Sequence, residues 1–315
     1  MREMSAFTAS PFVYLNGEIV PRARATVSVL DHGFLFGDGC FESLAVRARR
    51  VFMLDAHCDR LERSLRALAL GASLDRDQLG WAIATLVKES DLNDALVKVI
   101  VTRGAGGPTM DPRNLSPTVV VMAEQMTMLV GGGAEASGLS LKTAAVRRTP
   151  PWGVDAKIKS LNYLNLILAR LEAISAGKDD ALLLDEHGEV AEATGYNVVV
   201  VRGDRLVTPA SSSVLQGITR QVIWTIAQKL GFDTAEERLT LVDVYAADEV
   251  FLTSTAGGVI PVREVDGRFP RAQPPGPVTI VIRDEYETMI KSSAHAEDLD
   301  TFLASPDAST RHRTS

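Results

Sequence analysis

The pattern of hydrophobic and polar residues near the N-terminus predicts two strand-forming segments. Residues 12–21 alternate around an Asn-Gly pair at positions 16 and 17, and this pair between two such runs favours a two-residue hairpin turn. A glycine-punctuated loop then leads into a second segment, whose alternation places Phe41, Ser43 and Ala45 on one face. We therefore expect a β-sheet in the first part of the chain.

Helical periodicity and further apolar runs complete the pattern. Apolar residues at positions 58, 61, 65, 68 and 69 recur with the spacing of a helix face, which predicts a helix over residues 55–70. Strands outnumber helices in both halves and runs of each kind are segregated, so the predicted fold class is α+β. Further helices are predicted at residues 75–90, 164–176, 216–231 and 276–292, and further strands at 95–103, 118–123, within 181–201 and within 249–262.

Two segments differ from the rest in composition. Residues 126–138 contain a cluster of three glycines, which is typical of an interdomain linker. Residues 296–315 end in a run of small and polar residues, so we expect a flexible tail there.

Composition narrows the class of protein. The chain has 315 residues, of which 46% are hydrophobic and 23% charged, as in globular proteins of one large or two ordinary domains. Its 33 basic and 40 acidic residues give a net charge of −7, which argues against a nucleic-acid partner because phosphate binding needs a basic face. No apolar run approaches the roughly 20 residues that span a bilayer, so no membrane partner is expected. The first residues lack the apolar core of a signal peptide.

The cysteine content indicates the compartment. Two cysteines, Cys40 and Cys58, suit a reducing environment without a disulfide framework, so we expect a cytoplasmic protein. Neither a CxxC nor an HExxH motif occurs, so no metal site is expected.

Three chemical groups follow one another in the central part of the chain. A lysine lies at the edge of a predicted strand, where Lys157 and Lys159 both fit by spacing. A glutamate follows between two predicted strands, where Glu189 and Glu192 are both candidates, and a Gly-Ile-Thr turn at residues 217–219 then opens a helix. A pyridine aldehyde phosphate needs such groups: an amine for a Schiff base, a carboxylate for its ring nitrogen and a helix N-terminus for its phosphate.

Six short motifs, in this order along the chain, resemble those of fold type IV pyridoxal-phosphate enzymes, the class IV aminotransferases. This family includes branched-chain aminotransferases, D-amino acid transaminases and (R)-selective amine transaminases, with aminodeoxychorismate lyase as a relative. Each motif alone is weak, but the ordered set is specific. The motifs lie at residues 31–42, 55–61, 158–162 (Ile-Lys-Ser-Leu-Asn), 192–197 (Glu-Ala-Thr-Gly-Tyr-Asn), 215–220 (Leu-Gln-Gly-Ile-Thr-Arg) and 254–258 (Ser-Thr-Ala-Gly-Gly).

The resemblance implies a two-domain architecture with a small α+β domain at residues 1–125 and a larger, β-rich pseudo-barrel domain at residues 139–295. It implies pyridoxal 5'-phosphate as the cofactor. It also implies a homodimer with its sites at the subunit interface, where the neighbouring subunit completes each one.

The resemblance also assigns roles to single residues. It selects Lys159 over Lys157 as the Schiff-base lysine, which also moves a proton, and Glu192 over Glu189 as the carboxylate that keeps the ring nitrogen protonated. Tyr163 resembles the tyrosine that bonds the ring hydroxyl, although it follows the lysine by four residues where branched-chain enzymes usually have five. Further implied cofactor contacts are Arg60, Gly217, Ile218, Thr219, Ser254 and Thr255 around the phosphate, Leu215 on the ring face, and Asn197 as a brace for Glu192 or its turn.

Substrate choice is expected to depend on residues of the first β-segment and of two loops. Branched-chain and D-amino acid enzymes usually carry Arg or Lys at the position of Ala45, so this chain lacks that cation for a substrate carboxylate. Arg113 lies in a long loop and resembles the mobile arginine of (R)-amine transaminases, which swings in for carboxylates. The expected substrate contacts are Phe36, Phe41, Ser43, Ala45, Arg113, Thr255 and Ala256.

These features favour a transaminase that acts on D-amino acids or (R)-amines, with pyruvate, 2-oxoglutarate or another keto acid as acceptor. Three alternatives stay open: a branched-chain L-amino acid aminotransferase, an aminodeoxychorismate lyase that needs no second keto acid, and a non-catalytic binding protein on the same fold. The presence of Lys159, Glu192 and Arg60 together argues against the last, because a binding protein has no need of a Schiff-base lysine.

Overall fold

A computed structural model of the chain describes residues 9–72, 75–126, 137–292 and 294–304. These residues fall into two compact units. The first contains the described residues up to 126, the short segment Lys159–Asn162 and the residues from Ile290 onward. The second contains the described residues from 137 to 158 together with Tyr163–Met289.

The strands are short and distributed along the whole described chain. In chain order they are β1 (Phe12–Leu15), β2 (Glu18–Pro21), β3 (Gly39–Arg47), β4 (Arg50–Phe52), β5 (Ala95–Thr102), β6 (Thr118–Gln125), β7 (Leu139–Thr143), β8 (Asp180–Leu184), β9 (Val190–Ala193), β10 (Tyr196–Arg202), β11 (Arg205–Pro209), β12 (Asp233–Glu237), β13 (Glu249–Ser254), β14 (Gly258–Val265) and β15 (Ala296–Asp298).

The helices lie between the strands along the whole described chain. They are α1 (His32–Phe36), α2 (Leu54–Ala67), α3 (Arg76–Glu89), α4 (Leu164–Ser175), α5 (Ile218–Lys229), α6 (Leu241–Tyr245), α7 (Pro277–Ile290) and α8 (Leu299–Leu303). The mixture confirms the predicted two-domain α+β fold class.

The first unit is built on an antiparallel sheet with strand order β15-β4-β3-β5-β6-β1-β2. Side chains on a strand point alternately to opposite faces. Leu44 of β3 and Val97 and Val99 of β5 lie in the buried core that also contains residues of α2 and α3. Phe41 and Ser43 therefore lie on the other face of β3, as the alternation predicts.

The hairpin of β1 and β2 has the predicted turn. Asn16 and Gly17 both have positive φ angles, of 49° and 99°. A two-residue turn whose twist matches the flanking strands requires this conformation, which asparagine and glycine adopt with little strain. The four residue pairs of the hairpin then follow in register from Leu15 opposite Glu18.

The C-terminal part of the described chain differs from the predicted flexible tail. β15 pairs with β4, and α8 begins at Leu299 behind an Asp298 side chain that accepts from the main-chain N–H of Asp300. Leu299 and Phe302 are buried in the core of the first unit, which is why residues 296–304 adopt a regular structure. The predicted linker at residues 126–138 lies mostly outside the described residues.

The second unit contains an eight-stranded sheet that closes on itself. Its strand order is β12-β11-β10-β13-β14-β7-β8-β9, and β9 also pairs with β10. Six strands from β10 round to β9 therefore form a closed ring, with β11 and β12 continuing from β10. Closure leaves these six strands without an open edge, and their interior is filled by aliphatic side chains such as Leu141, Leu182 and Val198.

In the part of the chain that the structure describes, no helix has the length and apolar character needed to cross a membrane.

Candidate active site

Lys159 lies in the first unit, in a segment that extends the edge of β3. Its carbonyl oxygen accepts from the N–H of Phe41 at 2.9 Å, and the N–H of Leu161 donates to the carbonyl of Gly39 at 2.9 Å. The lysine side chain is half-buried, whereas Lys157 is exposed. Lys157 and Lys159, which sequence spacing alone does not distinguish, are therefore in different environments. Lys159 is the one that packs against the sheet.

A serine of α2 also contacts the main chain of Lys159. The Oγ of Ser64 accepts from the N–H of Lys159 at 3.3 Å and donates to the carbonyl of Arg60 at 3.0 Å. Ser64 is 1% exposed, so this link is shielded from water. Strand β3 and helix α2 thus hold the lysine backbone from two sides.

The Phe41 ring lies close to two ammonium groups. The Nζ of Lys159 is 4.6 Å and the Nζ of Lys98 is 4.8 Å from the ring centroid, both within cation–π range. Lys98 is on β5 directly opposite Ser43, so the two side chains share the face that carries Phe41. Lys98 was not among the candidates from the sequence, where its only signal was a single charge within the apolar run of β5.

This arrangement changes the interpretation of Ala45. Ala45 is buried, at 1% exposure, and stands opposite Leu96. The position itself carries no cation, as predicted, but Lys98 places one on the same face of the sheet.

Below the sheet, Arg60 forms a buried fork with Glu42. Its Nε donates to Oε1 at 2.7 Å and its Nη2 donates to Oε2 at 2.8 Å, with the side chains 4% and 1% exposed. The Nδ1 of His57 lies 2.8 Å from the same Oε2. Burial opposes ionisation of Glu42, but the hydrogen bonds from Arg60 and His57 outweigh it and lower its pKa to about 2. The predicted phosphate contact of Arg60 stays a prediction; what the structure shows is a buried ion pair.

Arg113 and Phe36, which are expected to contact substrate, are much more exposed than this buried cluster. Arg113 pairs with Asp111 through its Nε and Nη2, at 2.8 Å and 2.5 Å, and its side chain is 80% exposed. Phe36, at the end of α1, is 39% exposed and packs edge-to-face against His32. Their substrate contacts stay predictions.

In the second unit, Glu192 lies on β9 with both carboxylate oxygens engaged. Oε1 accepts from the Nε of Arg148 at 2.7 Å, and Oε2 accepts from the main-chain N–H of Leu215 at 3.1 Å. Glu192 is 5% exposed, whereas Glu189 belongs to the 185–189 turn and pairs with the exposed Arg238. Arg148 was missed from the sequence, because nothing in the pair Arg147-Arg148 shows which arginine turns inward.

The turn before α5 accepts a hydrogen bond from Asn197. The Nδ2 of Asn197 donates to the carbonyl of Leu215 at 2.9 Å, and Asn197 stands opposite Glu192 across the β9–β10 pair. A Cβ atom at Gly217 would lie 2.0 Å from the Oδ1 of Asn197. Glycine is therefore required there by a close approach.

Helix α5 begins at this turn, and its N-terminus is suited to binding an anion. Its N-cap is Gly217, which makes no side-chain cap, and its first residues Ile218 and Thr219 are each 5% exposed. The first N–H groups of a helix have no partner within the helix and carry partial positive charge. A phosphate is a fitting ligand for such a start.

The remaining candidates of the second unit occupy a turn and a helix start. Ser254 ends β13 and its Oγ accepts from the N–H of Gly257 at 3.0 Å. Thr255 is half-buried in that turn, and Ala256 is 7% exposed. Tyr163 precedes α4 and packs against its buried face. The contacts of these residues with a cofactor stay predictions.

Neither metal nor disulfide chemistry is indicated by the described residues. No group of three or more His, Cys, Asp and Glu within them could hold a metal ion. Cys40 and Cys58 are both free thiols, and burial, together with nearby carboxylates, raises the pKa of Cys40 to about 12. The chemical groups that are present are a half-buried amine, a buried carboxylate and an uncapped helix start, which are the groups that fit pyridoxal 5'-phosphate.

Comparison with known proteins identifies the family. The sequence model described as amino-transferase class IV matches residues 39–265. A relative from Methanocaldococcus jannaschii, named provisionally as a branched-chain-amino-acid aminotransferase, is 40% identical over 87% of this chain and 95% of its own. The branched-chain-amino-acid aminotransferase of Pseudomonas aeruginosa is 35% identical over 93% of this chain and 98% of its own.

A solved structure extends the similarity to the fold and to the cofactor. The branched-chain amino acid aminotransferase of Thermobaculum terrenum, solved in its PLP form, has a TM-score of 0.82 and 27% identity, and the match covers 90% of this chain and 94% of that one. Sequence motifs, fold and comparisons agree, and the chain belongs to the class IV aminotransferases, the fold type IV enzymes that depend on pyridoxal 5'-phosphate.

Proposed function

We propose that this enzyme transfers amino groups between branched-chain L-amino acids and 2-oxoglutarate or another keto acid. The observation that carries the proposal is the near full-length similarity to the Pseudomonas aeruginosa protein that is named as a branched-chain-amino-acid aminotransferase. The comparisons favour this branched-chain alternative over the preference for D-amino acids or (R)-amines that was predicted from Ala45 and Arg113.

The first unit offers surfaces that suit both substrates. Phe41 and Ala45 place apolar side chains on one face of β3, where they are 8% and 1% exposed, and an apolar lining of this kind suits an aliphatic side chain. Lys98 adds a positive charge on the same face, which suits the second carboxylate of 2-oxoglutarate. The charge and the apolar surface would serve the two substrates in turn.

We assign the cofactor roles to residues of the family motifs. Pyridoxal 5'-phosphate supplies an aldehyde that takes up the amino group and a ring that withdraws electrons. Lys159 would hold the aldehyde carbon and then carry a proton at its Nζ. Glu192 would accept from the ring N–H, and the N–H groups that open α5, with the Thr219 hydroxyl, would bind the phosphate.

We also propose a homodimer, for which one surface gives support. Helix α4 buries Leu166, Ala169 and Ala173 on one side, yet its other side is apolar as well. A contiguous exposed apolar surface is typical of an interaction site. Its members, exposed by 45–66%, are Leu164, Ile167, Leu168, Leu171 and Ile174. The mass measured by light scattering should fall from dimer to monomer in Leu171→Glu if this face mediates association.

The substrate proposal is tested by the cofactor spectrum. L-leucine, D-alanine and (R)-1-phenylethylamine are added separately to the purified enzyme loaded with pyridoxal 5'-phosphate, and loss of the long-wavelength band is followed. We expect L-leucine to remove the band fastest and 2-oxoglutarate to restore it. Faster loss with D-alanine or the aromatic amine would reject the branched-chain assignment, and pyruvate released from aminodeoxychorismate without an acceptor would indicate the lyase.

A pair of lysine variants tests the site. Lys159→Ala should lose both the cofactor band and turnover, whereas Lys157→Ala, which removes an exposed lysine two residues away, should retain both. Retention of turnover in Lys159→Ala would overturn the assignment of the catalytic lysine.

A further inference from the structure

Arg148 contacts the carboxylate that we assign to the cofactor ring. Its Nε donates to the Oε1 of Glu192 at 2.7 Å, and the two side chains are 12% and 6% exposed. Both backbones are fixed locally: the N–H of Arg148 donates to the carbonyl of Leu184 at 2.8 Å, and Glu192 is paired with Asn197 between β9 and β10. The fold of the second unit therefore places these two side chains next to each other.

The hydrogen bonds to Glu192 fix its orientation without saturating it. An ionised carboxylate offers about four lone-pair positions. Arg148 uses one on Oε1 and the Leu215 N–H uses one on Oε2. Each oxygen therefore retains a lone-pair position for one more donor, so the hydrogen bonds from Arg148 and the Leu215 N–H leave room for a ring N–H.

The positive charge of Arg148 also bears on where a proton shared between Glu192 and the cofactor ring would reside. A carboxylate beside a pyridine nitrogen either leaves the proton on the ring or takes it. Across a 2.7 Å contact between side chains that are 12% and 6% exposed, the positive charge of Arg148 acts on Glu192 with little screening by solvent.

We infer that Arg148 is a positioning residue that orients Glu192 and keeps the shared proton on the ring nitrogen of the cofactor. The inference rests on the proposed role of Glu192. Removal of Arg148 would leave Glu192 free to reorient and would take away its neighbouring cation. Both changes favour transfer of the shared proton from the ring nitrogen to the carboxylate, so the ring would be less protonated.

The chain offers a matched control in the preceding residue. Arg147 is exposed, and its Nη1 donates to the main-chain carbonyls of Ala144 and Ala145. Arg147→Gln removes the same charge from the same segment without touching Glu192.

The test is the ¹⁵N chemical shift of the ring nitrogen in holoenzyme loaded with ¹⁵N-labelled pyridoxal 5'-phosphate. The wild type and Arg147→Gln should show the value of a protonated ring. Arg148→Gln should move toward the value of an unprotonated pyridine, and its cofactor affinity should fall by about tenfold or more, as for loss of a charge-assisted hydrogen bond.

Each outcome separates this inference from the function on which it rests. A wild type that binds no cofactor would reject the proposed function itself. A wild type that binds it, with the same ring shift in Arg148→Gln, would reject the role of Arg148 alone. If Arg148→Gln does not fold, Arg148→Met is measured instead, because methionine removes the charge and the Nε donor while keeping an unbranched side chain. Its ring shift should move in the same direction, and a shift equal to that of the wild type would overturn the inference.

Discussion

The main-chain N–H of Lys159 donates to the buried hydroxyl oxygen of Ser64 at 3.3 Å. The same hydroxyl donates to the carbonyl of Arg60, so it connects the lysine segment to α2. Ser64→Ala should lower the free energy of unfolding by about 1–3 kcal/mol, because a buried N–H loses its partner. It should also slow loss of the cofactor band with L-leucine on the order of tenfold to 100-fold, since a small misplacement of a reacting group is costly.

The control for this variant is Ser90→Ala. Ser90 makes the same kind of bond at the end of α3, from its Oγ to the carbonyls of Leu86 at 2.8 Å and Val87 at 3.0 Å, rather than to the lysine segment. It should leave the rate of band loss unchanged. Equal rates in Ser64→Ala and Ser90→Ala would contradict the positioning of Lys159 by Ser64.

Acid should destabilise the protein in two steps through Glu42 and His57. Burial lowers the pKa of His57, so its contribution to stability is complete above its unfolded pKa of about 6.5 and declines as the pH falls below that value. The pKa of Glu42 falls from an unfolded value of about 4.3 to about 2, so its contribution is lost only as the pH falls through that lower range. Urea unfolding at a series of pH values measures both steps.

A variant separates the two contributions. His57→Gln should flatten the change in unfolding free energy between about pH 7 and pH 5 and leave the decline below about pH 4.3. An unchanged slope between about pH 7 and pH 5 would show that His57 is not the group responsible.

Lys98 should contribute to the choice of keto acid. Because its ammonium lies beside the Phe41 ring, Lys98→Met should raise the KM for 2-oxoglutarate about tenfold and change that for 4-methyl-2-oxopentanoate, which has no second carboxylate, by much less. The control is Lys88→Met in the last turn of α3. Equal changes in both KM values would argue against a role for Lys98 in binding the second carboxylate.

Gly217→Ala should weaken cofactor binding. The new Cβ would lie 2.0 Å from the Oδ1 of Asn197, so Asn197 must move and its bond to Leu215 is lost. We expect the Kd for pyridoxal 5'-phosphate, measured by fluorescence titration, to rise at least about tenfold, with a stability loss of about 1–3 kcal/mol. Gly71→Ala, which meets no atom within 4 Å, should change neither quantity.

Several elements were predictable because their signals are local. The Asn-Gly pair fixed the first hairpin, and apolar spacing placed a helix over 55–70, where α2 runs from Leu54 to Ala67. In each case the residues that determine the feature are adjacent or belong to one recognisable motif.

Other features were not predictable because they depend on burial. Spacing did not distinguish Lys157 from Lys159; the family motif selected Lys159, but the half-buried environment of Lys159 arises only from packing. The short strand β15 and helix α8 lie within a largely polar C-terminal segment, yet Leu299 and Phe302 are buried in the core. A local pattern of residue types does not predict which apolar side chains are buried against another element.

The sequence by itself determined the fold class, the order of the family motifs and the chemical groups available for catalysis. These features depend only on residue type and on spacing over a few positions. Only the tertiary structure decided which charges meet: Glu42 with Arg60 across 18 positions, and Glu192 with Arg148 across 44. Such contacts arise when separate strands, helices and loops pack, and a buried charge is stable only where packing supplies its partner.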